Sequence, residues 1–268
     1  MPEGPEVKTV CDKLKPVIVG FTIEKLIASP DLKSEGEFLS LPVRILDLKT
    51  RGKKLIFVLE GSYLVSGLGM TGRWTWESNK HTKLSISLSK KVSVLNSTIT
   101  LKKTLYYNDI RNFGKIKHMK ELKLNVGKDV LQDNISLEEF KVMLAKKKRS
   151  QICSFLLDQE FLSGIGNYLK SEILYMSRIH PKRKINTLNE KEIEDLLKYC
   201  IEIPKESYKC GGLTINDWWS PDNSPGVFPV KVYDKNGERD ENGFLIQKDT
   251  FADGRGSFFV PELQIPPL

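Results

Sequence analysis

The first six residues, MPEGPE, place two prolines and two carboxylates where chain ends are usually frayed. A small second residue favours removal of the initiator methionine, which would leave Pro2 with a free secondary amine directly before Glu3 and close to Glu6. An α-amino group titrates near ~7.7–8.0, against ~10.4 for lysine, so far more of it is unprotonated at neutral pH. Such an amine attacks carbonyl-like carbons. A secondary amine gives a charged iminium directly, which is a strong electron sink. Glu3 stands where a carboxyl could donate a proton to a leaving group. Taken alone, the same six residues fit a stiffened helix entry with acids at its positive end equally well.

A second stretch with chemical content is LDQEFLSGIGNYLKSEIL (157–174). Gly164 and Gly166 flank Ile165 in a tight turn, and Asn167 opens a helix. Helix starts present unpaired N–H groups at the positive dipole end, and glycine lets a phosphate come close. Gly166 and Asn167 are therefore expected to form a phosphate clamp, although an ordinary helical hairpin would also read this way.

The 268 residues carry a formal net charge of +8, which suits a polyanionic partner without requiring one. The run Lys146-Lys147-Lys148-Arg149 is expected to be a solvated helix face. Cys11, Cys153, Cys200 and Cys210 are scattered with no CxxC pair, which suits a reducing compartment and gives no zinc site. No apolar run approaches a membrane span, and the start lacks a secretory pattern, so an intracellular, membrane-free protein is expected.

The elements that must position these residues follow from periodicity. Val7, Val10, Cys11 and Leu14 predict an amphipathic helix ending near Gly20. From there to about residue 120 the pattern is β: LIFVLE (55–60), LSISL (84–88), TITL (98–101) and LYYN (105–108), best housed in a two-sheet sandwich. Ser136 with Glu139 forms a capping box for a helix to about Lys148. ICSFLLDQ (152–159) and NYLKSEILYMS (167–177) predict two more helices. Thr187 with Glu190 is expected to cap a fourth, kinked by Pro204 and stopped at Gly211-Gly212. After Pro225-Gly226, KVYD and GFLIQK read as a strand pair, followed by GSFFV. Trp218 and Trp219 read as core.

The segments VYDKNGERDENGFLIQ (232–247) and FADGRGSFFVPELQ (251–264) are similar to the C-terminal zinc finger of the formamidopyrimidine-DNA glycosylase/endonuclease VIII family. Arg239, Asn242, Val260 and Leu263 stand at the four cysteine positions. The skeleton remains and the ligands are gone, as in the zincless endonuclease VIII-like proteins of the first animal type and their plant relatives. PEGPE, TRGKKLIF (50–57), LGMTG (68–72), DIRNFG (109–114) and GIGNYLKSEIL resemble further family motifs in the same order, across nearly the whole chain. Asn112 stands where an arginine is common.

The resemblance implies an α+β fold. An N-terminal helix and β-sandwich (1–120) and a linker (121–129) would precede a helix–two-turn–helix domain (130–226) and a zincless-finger hairpin (227–268). It implies a bifunctional DNA glycosylase and abasic-site lyase with no metal and no cofactor. Pro2 would be the nucleophile, Glu3 the acid, Glu6 a further acidic residue and Lys53 the catalytic lysine. Asn167, Gly166 and the finger arginine, Arg255, would meet phosphates. Met70, Arg111 and Phe113 would fill the gap left by a flipped-out nucleotide. The expected partner is damaged double- or single-stranded DNA, met by a monomer in the nucleus of a eukaryote or the cytoplasm otherwise. Oxidised pyrimidines and hydantoins are the expected lesions, with oxidised purines as the alternative because TINDWWSPDNSPGVF (214–228) resembles bacterial purine-excising enzymes. A non-catalytic nucleic-acid-binding module and a small-molecule enzyme using an N-terminal proline remain competing readings.

Overall fold

The computed structural model describes residues 1–36, 39–95, 97–214 and 220–265. Trp218 and Trp219 lie outside the described residues. The chain forms two compact units, one of residues 1–2, 6–124 and 211–227, the other of residues 3–5, 125–210 and 228–268.

In the first unit, helix α1 (Gly4–Ile18) leads into β1 (Thr22–Ala28), β2 (Ser34–Glu35), β3 (Val43–Arg51), β4 (Lys54–Leu59), β5 (Ser62–Gly67), β6 (Arg73–Thr75), β7 (Thr82–Val94), β8 (Ser97–Asn108) and β9 (Lys115–Met119). The ladder runs β2-β9-β5-β4-β3-β1-β7-β8-β6. Its two halves meet where β1 pairs with β3 through only Thr22↔Arg44 and Ile23↔Val43. One hydrophobic cluster draws on both halves and on α1, with Val7, Val10, Leu14, Phe57, Trp74 and Tyr107 at 0% exposure. The alternation of β7 accounts for this: Leu84, Ile86 and Leu88 point inward while the serines between them do not.

The second unit holds β10 (Lys128–Asp129), α2 (Leu137–Lys146), α3 (Ile152–Leu157), β11 (Leu162–Ser163), α4 (Asn167–Met176), α5 (Glu190–Lys209), β12 (Gln247–Thr250) and β13 (Gly256–Phe259). The Ser136–Glu139 capping box forms as expected. The cap of α5 is two residues later than expected: Asn189 and Glu192 form the box, while Thr187 closes a 3₁₀ turn and its hydroxyl donates to Lys184 O. The helix runs on through Pro204 to Lys209. The basic run 146–149 is exposed.

One other expectation needs correction. KVYD is not a strand; the only hairpin strands of the described appendix are β12 and β13, paired Gln247↔Phe259 to Thr250↔Gly256. The amides of Lys231, Val232 and Tyr233 go instead to the buried Glu172 carboxylate at 2.8, 3.0 and 2.8 Å, which leaves no ladder for them to join. The segment 211–227 groups with the sheet in the first compact unit. Its charged and polar groups explain this: Glu6 accepts from Leu213 N at 2.8 Å, and the Lys13 ammonium meets Ser220, Asp222 and Ser224.

Candidate nucleic-acid interface and reaction site

Within the second unit the start of α4 is already occupied. The Glu3 carboxylate accepts from Gly166 N at 2.6 Å, Tyr168 N at 2.9 Å and Leu169 N at 3.3 Å, and Glu3 is 2% exposed. The amides expected to await phosphate therefore hold a side chain from residue 3. A helix start stabilises negative charge through both its free N–H groups and its dipole. Gly166 is required here, since a Cβ would lie 2.3 Å from the Glu3 carboxyl. Gly4 N donates to Gly164 O at 2.8 Å, so two consecutive residues of the N-terminal segment dock on this turn.

Asn167 was expected to donate to phosphate. In the structure its Nδ2 donates to Gly256 O at 2.9 Å, at the start of β13, and its Oδ1 is buried with no hydrogen-bond partner. Tyr233, which sequence reasoning missed, is half-buried, its ring 6.1 Å from that of Tyr168 and 5.2 Å from that of Phe258. Burial and the charge of Glu3 push its phenol above the ordinary tyrosine value, against the Asn167 amide and the Arg255 charge. Through Asn167 the start of α4 is tied to the start of β13, beside which Arg255 stands exposed. The VYD of the finger skeleton was the signal that could have found Tyr233.

The first unit builds a different surface. The loops LGMTG and DIRNFG are locked by Asp109, which is 0% exposed: Thr71 Oγ1 donates to it at 2.5 Å and Gly114 N at 2.7 Å. Gly69, at φ +65°, lies so close to the other loop that a Cβ would meet Phe113 C and Gly114 N at 2.6 Å. Only glycine tolerates both the conformation and the approach. The lock leaves Met70 37% and Phe113 54% exposed, with Arg111 Nη1 3.8 Å from Met70 Sδ. Large apolar side chains at such exposure on rigid loops are suited to entering a partner. Asn112 adopts φ +52°, a left-handed conformation asparagine tolerates, and its Nδ2 donates to Asp31 O at 2.7 Å.

Lys53 sits with Gly52 in the two-residue turn between β3 and β4 and is half-buried. Its neighbour Lys54 lies within β4, where burial, and then Lys115, lower its ammonium pKa. Pro2 and Glu6 are both buried.

Comparison with known proteins decides the family. The formamidopyrimidine-DNA glycosylase N-terminal domain model matches residues 1–116, and the helix–two-turn–helix domain model of the same glycosylases matches residues 126–218. The formamidopyrimidine-DNA glycosylase of Thermus thermophilus is 31% identical over 277 residues, covering 98% of each chain. The chain belongs to the formamidopyrimidine-DNA glycosylase/endonuclease VIII family. Solved structures agree. The MutM (Fpg) protein of Thermus thermophilus superposes with a TM-score of 0.88 at 29% identity over 100% of both chains. A MutM structure in complex with DNA containing carbocyclic 8-oxo-G gives 0.84 at 29%, over 99% of this chain and 100% of that one. This family member is a DNA-binding base-excision-repair enzyme, a DNA glycosylase with abasic-site lyase activity.

The family's zinc finger does not fit the residues present. At its four ligand positions Arg239 donates to Gly243 O at 2.6 Å, Asn242 donates to Asp240 at 3.0 Å, Val260 is fully buried and Leu263 packs against the appendix core. None of these side chains is a zinc ligand. The core of Val232, Ile246, Phe258 and Val260 lies against Tyr175 of α4 and holds the appendix instead. Asp240 organises its turn, accepting from Tyr175 OH at 2.9 Å and Phe244 N at 2.8 Å. Among the described residues no group of three or more His, Cys, Asp or Glu could hold a metal, and no helix is long and apolar enough to cross a membrane.

Proposed function

We propose that the enzyme excises oxidised pyrimidines and hydantoins through a Schiff base on Pro2 and then cuts the strand by β,δ-elimination. The observation that carries this reading is Glu3: a buried carboxylate from the third residue, held by three amides of a turn more than 160 residues away. A merely frayed or helix-stiffening terminus needs no such anchorage, and neither does a module that only binds.

The chemistry begins after removal of Met1. The Pro2 amine attacks C1′ of the damaged nucleotide. Glu3, positioned by the three amides it accepts from, serves as the proton carrier. It takes the proton that Pro2 nitrogen loses on forming the new bond, and returns it to the departing base. This refines the sequence expectation of Glu3 as a simple acid. The Pro2 nitrogen lone pair then expels O4′, which takes up a proton from solvent, and the opened sugar is an iminium on Pro2 that acidifies the C2′ proton. Loss of that proton expels the 3′ phosphate, and a second elimination expels the 5′ phosphate. Lys53 assists elimination and holds phosphate, while Glu6 fixes the turn after α5 through Leu213.

Reaching C1′ requires the nucleotide to leave the stack, at a cost of a few kcal/mol that is smaller for a damaged base. Met70, Arg111 and Phe113 fill the vacated space, as wedge side chains do. Arg255, exposed beside the start of β13, meets the backbone phosphates around the lesion, while Asn167 and the Gly166 turn hold the Gly256 carbonyl and Glu3 in place. The enzyme acts as a monomer on duplex or single-stranded DNA, in whichever compartment holds that DNA. The cysteine-free finger and GIGNYLKSEIL support the pyrimidine preference.

A second reading, excision of oxidised purines, is supported by the name of the Thermus relative and by the neighbour bound to 8-oxo-G DNA. Borohydride trapping on an abasic duplex tests the chemistry: an amino-terminal tag must abolish the covalent adduct while DNA binding persists. Retained trapping sinks the Pro2 assignment. Single-turnover rates on a lesion panel of thymine glycol, a hydantoin and 8-oxoguanine separate the two substrate readings.

A further inference from the structure

The turn that carries Arg255 lies outside the hairpin ladder. Pairing ends at Thr250↔Gly256, so residues 251–255 have no strand partner to set their course. A short two-stranded hairpin is marginal by itself. This turn is nonetheless tied down, and the ties come from α3 and α4. Gln151 at the α3 N-cap accepts from Ala252 N at 3.1 Å, and Asn167 donates to Gly256 O at 2.9 Å. Between them lies an ion pair of Lys170 with Asp253, whose side chains are 0% and 2% exposed.

The Asp253 carboxylate faces two ways. Oδ2 takes the Lys170 ammonium and Oδ1 accepts from the backbone N–H of Arg255 at 3.2 Å. One carboxylate thus connects the interior of α4 to the main chain of the arginine. Burial lowers the Lys170 ammonium pKa and Asp253 opposes that shift. Desolvating two charges is costly, and an apolar pair of similar size commonly serves stability as well or better. Stability alone therefore does not account for a lysine inside α4.

We infer that Lys170 and Asp253 are positioning residues for DNA engagement: their buried ion pair presets the 252–255 turn so that Arg255 is presented to phosphate from a rigid backbone. The inference rests on the reading of Arg255 as a DNA contact. Its energetic logic is preorganisation, since a loop ordered before binding need not be ordered during it. Lys170 and Asp253 touch no substrate; they act through Arg255.

The test compares four full-length variants on a lesion duplex. Lys170→Met alone strands a buried carboxylate and is expected to destabilise the fold, so the informative variant is the apolar pair Lys170→Met/Asp253→Leu. That pair is expected to melt at or above the wild-type temperature yet lose ~10- to 100-fold in kcat/KM, mostly through KM, in line with the cost of a displaced binding group. Adding Arg255→Ala to it should cost little more, whereas Arg255→Ala alone should cost as much as the pair. Lys170→Arg, which keeps the charge, should recover most of the activity. An apolar pair with wild-type KM, or one whose loss simply multiplies with that of Arg255→Ala, overturns the positioning role. If Arg255→Ala itself binds and cleaves normally, the phosphate-contact reading fails and this inference falls with it.

Discussion

Two regions present exposed candidate side chains from loops, and both use a buried carboxylate to hold the loop still. In the sheet unit Asp109 receives a hydroxyl and a backbone amide, both neutral. In the helical unit Asp253 receives a lysine, and Glu3 receives three amides at a helix start. The first lock joins two loops of one sheet and leaves Met70 and Phe113 standing in solvent. The second fixes turns against α4 with opposed or dipolar charge. The loops proposed to act as the wedge thus depend on steric interlock with local hydrogen bonds, and the turns around α4 on charge placed far from its chain neighbours.

The largest effect expected from breaking this comparison is at Glu3. Glu3→Gln removes the charge that the helix start stabilises, and base excision should fall by ~10²-fold or more. Cleavage of a ready-made abasic site should fall less, because no base then departs. Equal loss on both substrates, measured in single turnovers, would remove Glu3 from base release. Asp109→Ala should come next: stranding the Gly114 amide and the Thr71 hydroxyl should cost about 1–3 kcal/mol by denaturant melt. An unchanged midpoint would mean that the glycine interlock alone holds these loops.

Met70→Ala sharpens the contrast, since the side chain is already exposed. Its melt should stay within ~0.5 kcal/mol of wild type. Excision from duplex should slow by roughly tenfold, the equivalent of ~1.4 kcal/mol, if a wedge contact is lost. Excision from single strands, where no stack must be refilled, should not change; a matching loss there would refute the wedge role.

The smallest effects concern the appendix. Chelator should leave activity unchanged, and elemental analysis should find no stoichiometric zinc. Burial by itself raises the Asp240 carboxyl, but hydrogen bonds from Asn242, Phe244 and Tyr175 leave it below the usual value. A depressed folded pKa means that its contribution is complete above the unfolded value of ~3.9 and is lost as pH falls through the folded one. The appendix should therefore keep its order from neutral pH down to ~4, and Asp240→Asn should flatten whatever loss follows below that. Loosening of the wild-type appendix already at pH 6, seen by amide exchange, would contradict this.

Much of this architecture was legible because it is local. Alternation at 84–88 requires one buried face, helical spacing at 7–14 requires one buried stripe, and Ser136 with Glu139 satisfies amides three residues away. The family's ordered motifs pointed to Pro2, Glu3, Lys53, Met70, Arg111, Phe113, Asn167 and Arg255 as candidates. What the sequence alone could not decide was which amides each carboxylate would take. The GIGN turn reads as an open anion site until Glu3 is found in it, and KVYD reads as a strand until Glu172 claims its three N–H groups. Nothing in the sequence marks Lys170 inside α4 as buried, yet its side chain is wholly enclosed against Asp253. The physical reason is the same each time. Backbone hydrogen-bonding groups must be satisfied, but any complementary group of the folded chain can satisfy them, and only the tertiary structure brings the chosen pair together.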